Sequence, residues 1–94
     1  MERISTVTGS GPVYIDDSDA GHCAFEINVY RDGDGKVVGR GHVMGDSLVL
    51  GKMARGQLIE IASKDDGHRF RLTTGSWNPG DRMMDVETGP DIVH

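Results

Sequence analysis

The sequence lacks most of the features that mark a secreted or membrane-bound small domain. Only one of its 94 residues is a cysteine, Cys23, so no disulfide can form within the chain and a disulfide-stabilised scaffold is excluded. No apolar run approaches the roughly 18 residues that a membrane-spanning helix needs. No basic segment followed by an apolar one opens the chain. These absences predict a soluble, cytoplasmic protein with no membrane partner.

Cationic and aromatic residues are also scarce. Lys and Arg number 10 against 15 Asp and Glu, which gives a net charge of -5, and aromatic residues make up 5% of the chain. Nucleic-acid binding draws much of its affinity from a basic face, and single strands also need aromatic side chains for base stacking. The composition therefore disfavours a nucleic-acid partner.

Glycine and alternating apolar residues are what the sequence has in quantity. The 14 glycines follow no fixed repeat and mark turns and bends. Phe25, Ile27 and Val29 alternate with polar residues, which is the period of a half-buried strand. A second strand is expected over 36–44, after the turn signal Asp32-Gly33-Asp34-Gly35.

The apolar pattern predicts the loop length of this first hairpin. A three-residue loop, Gly33-Asp34-Gly35, keeps the apolar residues of both strands on one face, whereas a two-residue loop would invert one strand. Gly35 is then expected in the left-handed conformation. The predicted pairs are Val29–Gly39, Ile27–Gly41 and Phe25–Val43 on the core face, with Glu26–His42 and Asn28–Arg40 on the other. Glycines 39 and 41 are interpreted as points of strong strand curvature.

The only segment with helical periodicity is 46–56. Asp46 or Ser47 can cap its start and Gly56 can end it. Leu50, Met53 and Ala54 are predicted to share its buried face.

A second hairpin is predicted from the Asp66-Gly67 turn signal between two alternating runs, 57–64 and 68–75. A two-residue turn there pairs Ile61 with Leu72, and it puts the apolar residues of both runs on one face. The other predicted pairs are Ile59–Thr74, Ser63–Phe70, Glu60–Thr73, Ala62–Arg71 and Lys64–Arg69.

The remaining segments are assigned more coarsely. Residues 2–8 resemble a strand that ends at glycines 9 and 11, and 13–16 is either a second short strand or the first one resumed after a bend. A polar loop is expected over 16–21, a loop over 76–81 and a last short strand over 82–87.

These elements together predict an all-β, mainly antiparallel fold. The expected architecture is a small closed or half-closed β-barrel of five to seven strands with one short helix, and an OB-like strand order is one form it can take. A flattened sandwich or a roll is the alternative. A single domain is expected over 1–87, followed by a loose C-terminal tail over 88–94.

Known catalytic and cofactor motifs do not fit the chain. The segment from Gly45 to Met53 is one residue too long for a phosphate-binding loop and lacks its Ser or Thr. The Asp32–Gly35 turn lacks the first and last ligands of a calcium loop. The histidines and Cys23 do not have metal-ligand spacing. No cofactor or metal is predicted.

One acid–imidazole pair, Glu26 beside His42, is the only candidate for acid–base chemistry. Such cross-strand pairs are common without any function and are worth only about 0.2–1 kcal/mol. No nucleophile or oxyanion device accompanies this pair. The chain is accordingly predicted not to be an enzyme.

The candidate binding residues are Trp77, Tyr30, Val38 and Arg40. Trp77 lies in a turn-rich loop, where tryptophan either packs under the barrel or contacts a partner. Tyr30 and Val38 are expected to form an apolar spot on the outer face beside Arg40. The favoured hypothesis is a non-enzymatic binding or protein-interaction module, with a protein partner or a homodimer. The alternative is an OB-like binder of single-stranded nucleic acid that uses tyrosines 14 and 30, Trp77 and arginines 40, 69 and 71.

Overall fold

Six antiparallel strands and one short helix make up the computed structural model, which describes residues 2–65 and 67–92. The strands are β1 (Glu2–Ile15), β2 (Ser18–Arg31), β3 (Val37–Gly45), β4 (Ile59–Ala62), β5 (Arg69–Thr74) and β6 (Met83–Thr88). Helix α1 (Ser47–Arg55) joins β3 to β4, and a 3₁₀ turn (Pro90–Ile92) follows β6. The strands close into a barrel in the order β1-β2-β3-β6-β5-β4. The predicted small all-β barrel is confirmed.

The barrel consists of two three-stranded meanders connected by α1. The first meander is β1-β2-β3 and the second is β4-β5-β6, and they join along β1–β4 and β3–β6. All six pairings are antiparallel. The OB-type barrel also carries strands before and after a helix but has five strands, so this fold contains one strand more.

The first predicted hairpin has the expected register. Phe25 pairs with Val43, Glu26 with His42, and Val29 with Gly39. The loop has three residues, and Gly35 takes a φ of 82°, the left-handed conformation. This hairpin was predictable because burial of one face and the turn chemistry require the same register.

Glycines 39 and 41 lie where β3 approaches its neighbours most closely. A Cβ at Gly39 would lie 2.2 Å from Thr88 Oγ1, and one at Gly41 would lie 2.0 Å from the carbonyl oxygen of Glu26. Only a residue without a side chain lets β3 come this close to its neighbours.

β1 and β2 are longer than the sequence indicated. β1 continues through glycines 9 and 11 to Ile15, so the predicted end of the strand at these glycines is wrong. The polar loop predicted over 16–21 is also wrong, because β2 begins at Ser18. A two-residue turn connects the strands, with φ of 52° at Asp16 and 68° at Asp17. Positive φ at both positions gives the twist that a tight hairpin needs.

Helix α1 has the predicted capping residues. The Asp46 carboxylate accepts a hydrogen bond from the Leu48 N–H at 2.8 Å, and Gly56 forms the C-cap. Leu50 and Met53 are fully buried in the core. Ala54 is exposed, which corrects its assignment to the buried face.

The second hairpin has a different register from the one predicted. Ile61 pairs with Phe70 and Ile59 with Leu72, a shift of two residues. The Ser63 N–H donates to the His68 carbonyl at 2.8 Å, so the loop spans residues 64–67 rather than two. Gly67 has a φ of 73°, and Asp66, half of the predicted turn, lies outside the described residues.

The core is a single cluster of aliphatic side chains around two phenylalanines. The rings of Phe25 and Phe70 meet edge to face, with centroids 5.3 Å apart. The 3₁₀ turn adds Ile92, which is 2% exposed, and Asp91 Oδ2 accepts a hydrogen bond from the Arg71 N–H at 2.9 Å. The loose tail predicted for 88–94 is therefore wrong over 88–92, and residues 93 and 94 lie outside the described residues.

Candidate functional site

Strand pairing places three titratable side chains in one row on the outer face of the barrel. His42 lies opposite Glu26 on β2, as predicted, and opposite Asp85 on β6. In the described part of the chain, no hydrogen bond or ion pair joins this histidine to either carboxylate. Nor does any group of three or more His, Cys, Asp or Glu side chains within residues 2–65 and 67–92 have an arrangement suited to a metal ion.

The predicted apolar spot is present on the same face. Tyr30 and Val38 are direct cross-strand neighbours, and both are half-buried. Arg40 is exposed two residues further along β3, on the same face as Val38. The structure thus brings together three of the four predicted site residues: Tyr30, Val38 and Arg40.

Arg40 also lines an open cleft of about 470 Å³. The cleft lies over β3, β6 and β5, and its lining includes Asp85 and Glu87 of the central strand β6, with Thr73 and Ser76 beside them. A second cleft of about 490 Å³, which includes Arg71, Pro90 and Asp91, shares Thr73 with the first. The two clefts therefore continue along the outer side of β5.

Within residues 2–65 and 67–92, the Arg40 guanidinium has no hydrogen-bond or ion-pair partner. Glu87 lies directly opposite Arg40 on β6, yet the only ion pairs among the described residues are those of Arg69. An arginine presents five N–H donors in a planar fork that matches a carboxylate. At the boundary between the apolar spot and the cleft, this group is available to a ligand.

Trp77, the fourth predicted site residue, lies elsewhere. It is half-buried and packs against the core, and its Nε1–H donates to the Asp81 carbonyl at 2.9 Å. A Cβ on the buried Gly51 of α1 would meet the indole ring at 3.4 Å. These contacts are those of a packing residue, and the lining of the first cleft stops at the neighbouring Ser76.

Two other residues that the nucleic-acid hypothesis requires, Tyr14 and Arg69, belong to a separate side-chain cluster. The Arg69 guanidinium lies 4.1 Å from the centroid of the Tyr14 ring. It also forms ion pairs with Glu60 at 2.9 Å and with Asp17 at 3.0 Å. Tyr14 and Arg69 therefore already have internal contacts, which a nucleic acid would have to replace.

Sequence reasoning missed the cleft residues Thr73, Ser76, Asp85 and Glu87. Alternation in 82–87 puts Asp85 and Glu87 on one face, and this signal was available. Alternation cannot show that β6 pairs with β3, because the paired residues lie more than 40 positions apart in the sequence. The proximity of Asp85 and Glu87 to Arg40 was therefore not predictable from the local sequence.

Cys23 is not part of this surface. It points into the core with 3% of its surface exposed, and desolvation by burial raises the pKa of its thiol to about 11. The thiolate, which is the reactive form, is correspondingly disfavoured.

Comparison of the chain with protein-family models, with curated proteins and with solved structures finds no match. Among the described residues, no helix has the length and apolar character needed to cross a membrane.

Proposed function

We propose that this protein is a non-enzymatic binding module that contacts a protein partner through Tyr30, Val38 and Arg40. The observation that carries the proposal is the position of Arg40, which has no partner in the part of the chain that the structure describes. It lies next to the apolar Tyr30–Val38 pair on one side and lines an open cleft on the other. Arginine and tyrosine are the residue types that contribute most often to binding energy at protein interfaces.

The chemistry of this surface defines what a partner segment would present. A carboxylate, from a side chain or a chain terminus, would accept the fork of donors on Arg40. An apolar side chain would cover the Tyr30–Val38 pair, and polar backbone groups would meet the Thr73 and Ser76 hydroxyls in the cleft. A short extended segment of a partner protein supplies all three.

The alternative, an OB-like binder of single-stranded nucleic acid, has less support. Two of its three aromatic side chains, Tyr14 and Trp77, already have internal partners. Arg69 is held by two carboxylates, so its donors are already engaged. These contacts favour a peptide over a nucleic acid.

The test is selection from a phage-displayed random-peptide library, followed by affinity measurements on synthetic peptides. We expect selected peptides to carry a carboxylate and an apolar residue. Arg40→Ala should weaken their binding by about tenfold or more, since a hydrogen bond to a charged group is worth about 1.5–3 kcal/mol. The matched control is Arg82→Ala, which removes an exposed arginine that lies outside both clefts.

Two outcomes would contradict the proposal. One is that no peptide is enriched, or that enriched peptides bind Arg40→Ala and the wild type equally. The other is salt-sensitive binding of mixed single-stranded DNA or RNA at low salt, measured by the fluorescence of Trp77, which would favour the alternative instead.

A further inference from the structure

The first half of β1 has a partner on only one side. β1 pairs with β2 along its whole length, but it pairs with β4 only from Val13 to Ile15. The last backbone contact on the β4 side is the hydrogen bond from the Lys64 N–H to the Ser10 carbonyl, at 2.8 Å. From Glu2 to Gly9, β2 is the only strand that pairs with β1 in the described part of the chain.

Backbone alternation shows which groups of β1 have no partner among the described residues. The Ser10 carbonyl points towards β4, away from β2. Because successive residues of a strand point their backbone groups in opposite directions, Thr8 and Thr6 share the direction of Ser10. The β1–β2 register is regular between Ser5 and Val13, so this alternation is not interrupted. The N–H and C=O groups of Thr6 and Thr8 therefore form an open sheet edge.

From Ser5 to Gly9 this edge lacks the features that usually prevent strand pairing, while the charged residues Glu2 and Arg3 and a register shift between Arg3 and Ser5 lie at its beginning. Proteins protect exposed edges with charged side chains or proline, or by keeping edge strands very short. No charged residue occurs between Ile4 and Ile15, although 27% of the chain is charged. The side chains at residues 4, 6, 7 and 8 are β-branched, the type that favours strands, and Ile4 is 38% exposed.

We propose that this edge pairs antiparallel with the same edge of a second copy, about a two-fold axis that passes beside Thr6. In this register, backbone hydrogen bonds form between Thr6 and Thr6 of the second copy. Identical residues meet across the axis, as a two-fold interface requires. Threonine opposite threonine is also a favourable cross-strand pair.

Charge complementarity is the reason for choosing a second copy as the occupant. Arg3 lies opposite Tyr30 and Glu26 lies opposite Thr8, so both charged side chains are on the outer face. Because the β1–β2 register shifts between Arg3 and Ser5, Arg3 lies two ladder positions from Thr6, as does Thr8 on the other side. The two-fold pairing therefore places Arg3 of one copy next to Thr8 of the other, with Glu26 one strand further. The two strand spacings, roughly 9–10 Å, can be spanned by an extended arginine and a glutamate. Two symmetric attractions therefore oppose the repulsion between copies that each carry a net charge of -5.

The pairing has a structural consequence for the proposed peptide surface. It would connect β3-β2-β1 of both copies into one continuous six-stranded sheet. Both Tyr30–Val38–Arg40 surfaces would then lie on the same side of that sheet, as in a bivalent binder. The dimer itself does not depend on the peptide-binding proposal, because Arg40 is two strands away from the open edge.

The primary experiment combines sedimentation equilibrium with amide hydrogen exchange of the wild-type chain. We expect the mass to rise from 10.2 kDa towards twice that value over concentrations of about 10 to 500 µM, as suits a small interface. The Thr6 and Thr8 amides should become protected from exchange as the dimer forms. Val7 provides the internal control, because its N–H faces β2 and should be protected at every concentration.

A proline substitution tests the hydrogen bonds directly. Thr6→Pro removes an N–H that points away from β2, so the β1–β2 ladder keeps its hydrogen bonds. We expect it to raise the dimer dissociation constant by about tenfold or more, because symmetry removes two backbone hydrogen bonds at once. The matched control, Thr6→Val, keeps the N–H and the branched side chain and should remain dimeric.

Charge reversal gives a second, independent variant set in case the proline variant does not fold. Arg3→Glu and Glu26→Arg should each weaken the dimer, and the double variant should restore it. A wild-type chain that stays monomeric throughout the concentration range would refute the proposal. A dimer in which Thr6 and Thr8 still exchange freely, or in which a folded Thr6→Pro variant associates normally, would refute it as well.

Discussion

Thr88→Val is expected to make the protein more stable, although it replaces a native residue. Thr88 is 7% exposed and lies on the core face of β6, opposite Gly39 and Leu72. Its Oγ1 is the only buried side-chain nitrogen or oxygen without a hydrogen-bond partner among the residues that the structure describes. Valine has nearly the same shape and the same preference for strands, so the substitution removes the hydroxyl and little else.

The size of the effect follows from the desolvation of that hydroxyl. Leaving a buried polar group unpaired costs about 1–3 kcal/mol, and an apolar group of the same shape avoids this cost. The methyl group that replaces the oxygen is slightly larger, but Gly39 leaves space because it has no Cβ. We expect the free energy of unfolding to rise by about 1 kcal/mol, which corresponds to a melting temperature about 4–8 °C higher for a domain of this size.

The assay is urea and thermal unfolding followed by circular dichroism. Thr73→Val is the matched control, because Thr73 is exposed on the adjacent strand and the same change there should lie within about 0.5 kcal/mol of zero. Thr88→Ser keeps the hydroxyl and loses the methyl group, and it should be less stable than the wild type. If Thr88→Val instead lowers the stability by more than the control does, the hydroxyl has a favourable interaction and the reasoning fails.

Three further predictions concern other contacts. Gly39→Ala should lower the free energy of unfolding by about 1–3 kcal/mol in urea, because the new Cβ would lie 2.2 Å from Thr88 Oγ1; combining it with Thr88→Ala should recover part of the loss. Burial raises the pKa of the Cys23 thiol to about 11 from 9.0, so the unfolded chain loses this proton first and stability should fall from pH 9 towards 11. That fall should be smaller in Cys23→Ala, and native Cys23 should react slowly with iodoacetamide at pH 8 until the chain is denatured. Asp91→Ala should lower stability by about 1 kcal/mol in thermal unfolding because the Arg71 N–H loses its acceptor, whereas Asp91→Asn keeps an oxygen there and should cost less.

The parts of the fold that could be predicted are those where local signals agree. In the first hairpin, the apolar face, the loop length and the glycine at position 35 all require one register. In α1, the capping residues Asp46 and Gly56 bound a segment whose buried positions, Leu50 and Met53, have helical spacing. Each of these elements is specified within about 25 residues of sequence.

The length of β1 was predicted wrongly because a glycine can either end a strand or allow another strand to approach closely. Glycines 9 and 11 suggested that the strand ends, since glycine weakens a strand interior. In the structure, a Cβ at Gly11 would lie 1.7 Å from the Ala62 carbonyl oxygen. Gly11 is therefore where β1 comes close enough to β4 to close the barrel, and this contact spans 50 residues of chain.

The outer face was harder to predict than the core for a physical reason. Core side chains must be apolar and must pack against one another, so their alternation in the sequence shows which face of a strand points inward. Exposed residues such as Arg40 and Glu87 are not constrained in this way. The predicted spot of Tyr30, Val38 and Arg40 came from one local hairpin, whereas the cleft beside it requires β6, whose place in the barrel depends on closure.

The second hairpin shows what alternation can and cannot decide. A shift of two residues leaves every side chain on its original face, so the predicted and observed registers bury the same set of residues. Packing between the two meanders distinguishes them. In the observed register Phe70 lies opposite Ile61 and meets Phe25 edge to face, whereas the predicted register would pair Phe70 with the polar Ser63. Aromatic pairs contribute about 0.5–1.5 kcal/mol beyond the area that they bury. That gain, together with the Gly67 conformation, favours the four-residue loop over the shorter turn that the Asp66-Gly67 signal alone would select.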